Sequence, residues 1–115
     1  MKKNRNPKAS KYRMAWLLVF FDLPVGTKQE RRSATNFRED LLKEGYVMIQ
    51  FSVYARPCVS QEKVRTQLRR LLPKIPVSGQ VRALSITDAQ WARMTFIQSD
   101  EKHTPEELPT QLTFF

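Results

Sequence analysis

Hydrophobic and polar positions divide the chain into alternating strand and helix patterns. Residues 14–21, MAWLLVFF, form an unbroken apolar run that stops at Asp22-Leu23-Pro24. Its length, its aromatics and the turn residues behind it predict a central strand buried on both faces. Thr27-Lys28-Gln29-Glu30 has the spacing of a capping box, in which the threonine oxygen takes the Glu30 amide and the glutamate reaches back. The helix that begins there carries Ala34, Phe37 and Leu41 on one face and runs about four turns to Gly45, a residue suited to a left-handed helix end.

From Tyr46 the period shortens to two. Val47, Ile49, Phe51, Val53 and Ala55 alternate with Tyr46, Met48, Gln50, Ser52 and Tyr54, which predicts one long bent strand or two strands meeting near Ser52. Arg56-Pro57 ends this stretch, and Ser60 can cap a second helix with Val64, Leu68 and Leu71 inside, stopped by Pro73 and Pro76. After Gly79, VRALSI predicts another strand, and Thr87-Asp88-Ala89-Gln90 is a second capping box before a short helix with Trp91 and Met94. The order is that of an α+β, ferredoxin-like βαββαβ sandwich, with two helices on one face of a sheet. Residues 98–110, acidic and with two prolines, predict a linker, and the apolar end 111–115 predicts an extra C-terminal strand docked on a partner surface.

Composition adds a polyanionic partner to this picture. Across 115 residues the formal charge is +9, and the tail 1–13 holds Lys2, Lys3, Arg5, Lys8, Lys11 and Arg13 without an acid. Such a tail attracts nucleic acid loosely and reads no sequence. The domain proper is predicted to span 14–97. No segment has the apolar length of a membrane span or a secretory signal, so a soluble, cytoplasmic protein with no membrane partner is expected. A single cysteine, Cys58, fits a reducing compartment and reads as a half-buried small hydrophobe. The one histidine, His103, lies in the acidic linker without a partner for base catalysis.

Asp22 is the candidate for chemistry, because magnesium takes oxygen ligands and often needs one or two carboxylates besides water and phosphate oxygens. The alternative is that Asp22 accepts amides of the following turn. Arg31, Arg32 and Arg38 on the first helix could grip phosphates with their forks, or could simply cover the core and pair with Glu30 or Glu39. Tyr54, on the polar side of its alternating stretch, could stack on a base or meet a second copy, whereas Phe21 reads as core.

The stretch FDLPVGTKQERRSATNFREDLLKEGYVMIQFSVYARP, followed by LSITDAQWARM and the terminal LTFF, resembles the small Cas-two family of CRISPR-associated proteins, most of all the members that accompany type II systems. The resemblance implies a ferredoxin-like homodimer with the two Asp22 side chains facing each other across the dimer axis, a pair that could hold Mg2+. It implies two activities. One is a scaffold of spacer acquisition that binds duplex DNA and bridges dimers of the Cas-one integrase, with Leu112, Phe114 and Phe115 in the strand that engages it. The other is a metal-dependent endonuclease acting on RNA or duplex DNA. A plain RNA-binding ferredoxin-like domain is disfavoured by the absence of its aromatic RNP1 pattern.

Overall fold

A computed structural model describes residues 14–98. The elements follow in the order β1 (Ala15–Asp22), α1 (Lys28–Lys43), β2 (Val47–Gln50), β3 (Val53–Cys58), α2 (Gln61–Leu71), a 3-10 turn at Leu72–Lys74, β4 (Gln80–Thr87) and the short α3 (Asp88–Ala92). The sheet order is β2-β3-β1-β4, and each neighbouring pair is antiparallel. This is the ferredoxin-like α+β arrangement expected from the pattern. The predicted terminal strand 111–115, with Leu112, Phe114 and Phe115, lies outside the described residues, as do the tail 1–13, His103 and all but the first residue of the linker.

The two long helices start and stop where their sequence says, whereas α3 ends at Ala92, short of Met94. Thr27 Oγ1 accepts the Glu30 amide at 3.0 Å, while Glu30 Oε1 accepts the Gly26 and Thr27 amides at 3.0 Å each. At the other end of α1 the Tyr46 amide donates to the Leu41 carbonyl and the Gly45 amide to that of Leu42, at 3.0 and 3.1 Å. This pair of bonds is a Schellman motif, and Gly45 supplies it with a φ of 95°. Arg56 Nε then donates to the freed Glu44 carbonyl at 2.7 Å, and Arg70 clasps the Glu44 carboxylate through two nitrogens at 2.8 and 3.0 Å. One residue thus ties the end of α1 to β3 and α2. The guanidinium of Arg70 holds the Glu44 carboxyl below its ordinary value, against the opposing effect of burial.

The core lies between the helices and one face of the sheet. Ala15, Leu17, Val19 and Phe21 of β1 pack with Phe37 and Leu41 of α1 and with Val64 and Leu71 of α2. Phe21 meets Phe37 edge-on with ring centroids 5.1 Å apart. Cys58 is buried in the same cluster, deeper than the half-buried position expected, and burial pushes its thiol pKa up. The Tyr46 hydroxyl is buried too, its pKa pushed up to about 12 by burial above all, and has no hydrogen-bond partner among the described residues.

Tyr54 requires a correction. It is 2% exposed and packs inside this core, its ring 5.6 Å from that of Phe21, so it has no free face for a base. The simple alternation of residues 46–55 breaks at the Phe51-Ser52 turn and at an irregularity in register between Met48 and Gln50. Of the two paths left open for this stretch, the two-strand one is found. In it, Tyr46 and Tyr54 face the helices, while Val47, Ile49 and Phe51 are exposed.

The opposite face of the sheet is covered differently. Side chains alternate along a strand, so Trp16, Leu18, Phe20 and Asp22 of β1 share a face with Gln80, Arg82, Leu84 and Ile86 of β4 and with Val53 and Ala55 of β3. Both long helices lie on the other side. Among the described residues only the short α3 reaches over one end, where Trp91 stacks on Trp16 at 4.0 Å and Asp88 Oδ1 accepts from Trp16 Nε1 at 2.9 Å.

Candidate nucleic-acid interface

Asp22 stands at the point where β1 leaves the sheet. It faces Gln80 across the β1–β4 ladder and is exposed. The turn behind it is closed by other groups. Glu30 takes the Gly26 and Thr27 amides, Arg31 donates to the Val25 carbonyl at 3.1 Å, and among the described residues the Asp22 carboxylate accepts no hydrogen bond. The sequence alternative, an aspartate holding the amides of its turn, is therefore met by Glu30 instead.

A shallow hollow surrounds the carboxylate, lined by Phe20, Phe21, Asp22, Ser52, Val53, Gln80 and Arg82. Two close approaches build it. The Phe21 amide donates to the Ser52 carbonyl at 3.0 Å, which brings the β2–β3 turn beside the end of β1. On the other side, Gly79 lies against the Asp22 carbonyl with a φ of 108°, and a Cβ there would stand 2.9 Å from that oxygen.

Among the described residues one protomer offers magnesium a single carboxylate here. No group of three histidine, cysteine or acidic side chains gathers among the described residues. An ion with octahedral demands and a preference for retaining water still fits a lone exposed carboxylate if a second copy brings another and a phosphate completes the shell.

The three arginines of α1 separate in role. Arg32 is exposed beside Lys28, Gln29, Ser33 and Asn36. Arg31 is exposed as well, with one guanidinium nitrogen on the Val25 carbonyl. Arg38 works inside the protomer. Its Nε donates to the Phe51 carbonyl at 3.3 Å and its guanidinium carbon lies 3.7 Å from the Phe51 ring centroid, so it braces the β2–β3 turn against α1. None of the three pairs with Glu30 or Glu39; the ion pairs among the described residues join Glu44 to Arg70 and Lys74. Sequence reasoning passed over Arg82, because only the β1–β4 register brings it into the hollow of Asp22.

A four-stranded antiparallel sheet in this order, backed by two helices on one side, defines the chain as a ferredoxin-like α+β protein with an acidic strand end beside exposed cations. The family model for CRISPR associated protein Cas2 matches residues 14–94. The chain is similar to proteins named CRISPR-associated endoribonuclease Cas2 from several bacteria. It is 41% identical to that of Paracidovorax avenae over 90% of this chain and 96% of the relative. The Parvibaculum lavamentivorans protein is 37% identical over 87% and 99%, and that of Acidovorax ebreus 47% identical over 70% and 79%. The chain belongs to the Cas2 family of CRISPR systems.

Proposed function

We propose that the chain acts in the cytoplasm as the dimeric centre of a spacer-acquisition complex, holding duplex DNA and bridging dimers of the integrase. The observation that carries this reading is the second sheet face, where Phe20, Val53, Leu84 and Ile86 lie outside the cover of both long helices. A symmetric contact of two such faces buries apolar surface that a short chain cannot bury alone. It also brings two Asp22 ends near one seam, with Arg31 and Arg32 of each copy left outward for phosphates. Binding through phosphates releases counterions, so affinity for a mixed-sequence duplex should fall linearly on a log–log plot against salt and should change little with sequence. Filter binding or fluorescence anisotropy measures this. Affinity independent of salt would overturn it. Deleting Leu112 to Phe115 should abolish capture of the integrase by the dimer, and capture by the truncated chain would refute that part.

A second reading is a magnesium-dependent endonuclease. The name of the relatives supports it, and so does a strand-end carboxylate with no hydrogen bond of its own among the described residues. Asp22 of each copy would hold the ion. When bound, magnesium supplies Lewis acidity toward a phosphodiester and a more acidic water. Asp22→Asn keeps the size of the side chain and removes the charge that holds the ion. Cleavage of RNA or duplex DNA should therefore fall to background in the variant; an undiminished rate would remove this activity from the site.

A further inference from the structure

We propose that Arg82 is the phosphate-binding residue of the Asp22 hollow. The proposal rests on the nucleic-acid reading above and names the group that would hold the backbone at that place. The register places it there. Asp22 faces Gln80 and Phe20 faces Arg82, so Asp22 and Arg82 are diagonal neighbours on one face of the sheet. Diagonal pairs of this kind have Cα atoms roughly 7–8 Å apart, within reach of a long side chain. Both residues line the same hollow, together with Ser52 and Gln80, which bring a hydroxyl and a carboxamide.

The charge pattern gives the ligand class. Arg82 and Asp22 are both exposed, and they are not paired with each other, because the ion pairs among the described residues are those of Glu44. Arg38, Arg56 and Arg70 have internal work, on Phe51, on the Glu44 carbonyl and on its carboxylate, whereas Arg32, Arg65, Arg82 and Arg93 have none among the described residues, and of these Arg82 is the one that lines the hollow of Asp22. Arg82 stands beside the apolar run Phe20, Leu84 and Ile86, where a cation without an anion is costly once water is excluded. A guanidinium fork matches two oxygens of one phosphodiester, and Ser52 and Gln80 can donate to the same group. The ligand is thus a nucleic-acid phosphate held next to the Asp22 carboxylate, whether the strand is DNA or RNA. A carboxylate alone would repel that phosphate; Arg82 offsets the repulsion.

The test uses the full chain, a mixed-sequence DNA duplex and a single-stranded RNA as probes, and the variants Arg82→Ala and Arg82→Lys. Sedimentation velocity follows the oligomeric state, and circular dichroism follows the fold. Arg82→Ala should bind at least one probe several-fold more weakly and lower the magnitude of its salt slope by about one, with the dimer intact. Arg82→Lys should restore the slope with part of the affinity, since it keeps the charge and loses the fork. The probe affected identifies the strand chemistry. Unchanged binding by Arg82→Ala overturns the assignment, and so does dissociation into protomers, which would make Arg82 a contact between copies. A wild-type chain that binds neither probe overturns the proposed function itself and this inference with it.

Discussion

Gly79 shows how one residue without a side chain shapes the candidate site. Its φ of 108° lies in the left-handed region, and a Cβ would come within 2.8 Å of Leu23 Cδ2 and 2.9 Å of the Asp22 carbonyl oxygen. Leucine could turn aside, but the backbone oxygen cannot without moving the end of β1. Gly79→Ala therefore combines an unfavourable backbone conformation with a steric conflict, and should cost about 1–3 kcal/mol. Urea denaturation measures the loss as a lower midpoint at an unchanged slope. Because the displaced atoms carry Asp22, the variant should also bind nucleic acid more weakly at temperatures where it remains folded. Tyr54 makes the complementary point about sequence. Its neighbours 46–55 alternate so regularly that the apolar set Val47, Ile49, Phe51, Val53 and Ala55 reads as the inner face, yet the helices pack on the other one, where Tyr54, paired with Val19 and Met48, lies against Phe21. Both aromatic and aliphatic residues satisfy a helix-facing position, and hydropathy alone cannot tell which set will take it.

Among the elements, helix boundaries were the most legible, because they depend on contacts a few residues apart. The Thr27 and Thr87 boxes both form, each with its reciprocal bond. The long-range tie through Glu44 was not legible, since it joins the end of α1 to arginines of β3 and α2. That tie has a pH dependence. The Arg70 guanidinium lowers the Glu44 pKa in the folded protein from an ordinary value of 4.5. The stability it contributes is fully present above that unfolded value and is lost as pH falls through the lowered folded one. Glu44→Gln should therefore be less stable than the wild type near neutral pH, and the gap between their denaturation midpoints should close as the medium is acidified below 4.5. A gap that stays constant across the titration would show that the pairing charge contributes nothing and that only the shape of the side chain matters.

For the whole molecule, the decisive feature is that its sheet has two apolar faces and both long helices pack on only one of them. The order of elements made the fold class readable, and the family motifs made Asp22 stand out. The neighbours of Asp22 were hidden, because Gln80 and Arg82 meet it through strand register and Ser52 through the β2–β3 turn that the Phe21 amide holds, both properties of the folded sheet. The same register sets the surface on which the proposed dimer depends. Leu84 is 52% exposed in the protomer and faces Leu18 across the ladder. Replacing it with lysine leaves the helix-facing core untouched, so Leu84→Lys should keep the circular dichroism of the wild type. If two copies meet through this face, the new ammonium is buried at the seam without an anion, and burying an unpaired charge outweighs the apolar contact it replaces. Sedimentation velocity should then show protomers at concentrations where the wild type is dimeric. Duplex affinity should fall with dimerisation, because each protomer retains only half of the phosphate contacts, and the salt slope should shrink accordingly. A Leu84→Lys variant that remains dimeric and keeps the full slope would place the contact between copies elsewhere on the molecule.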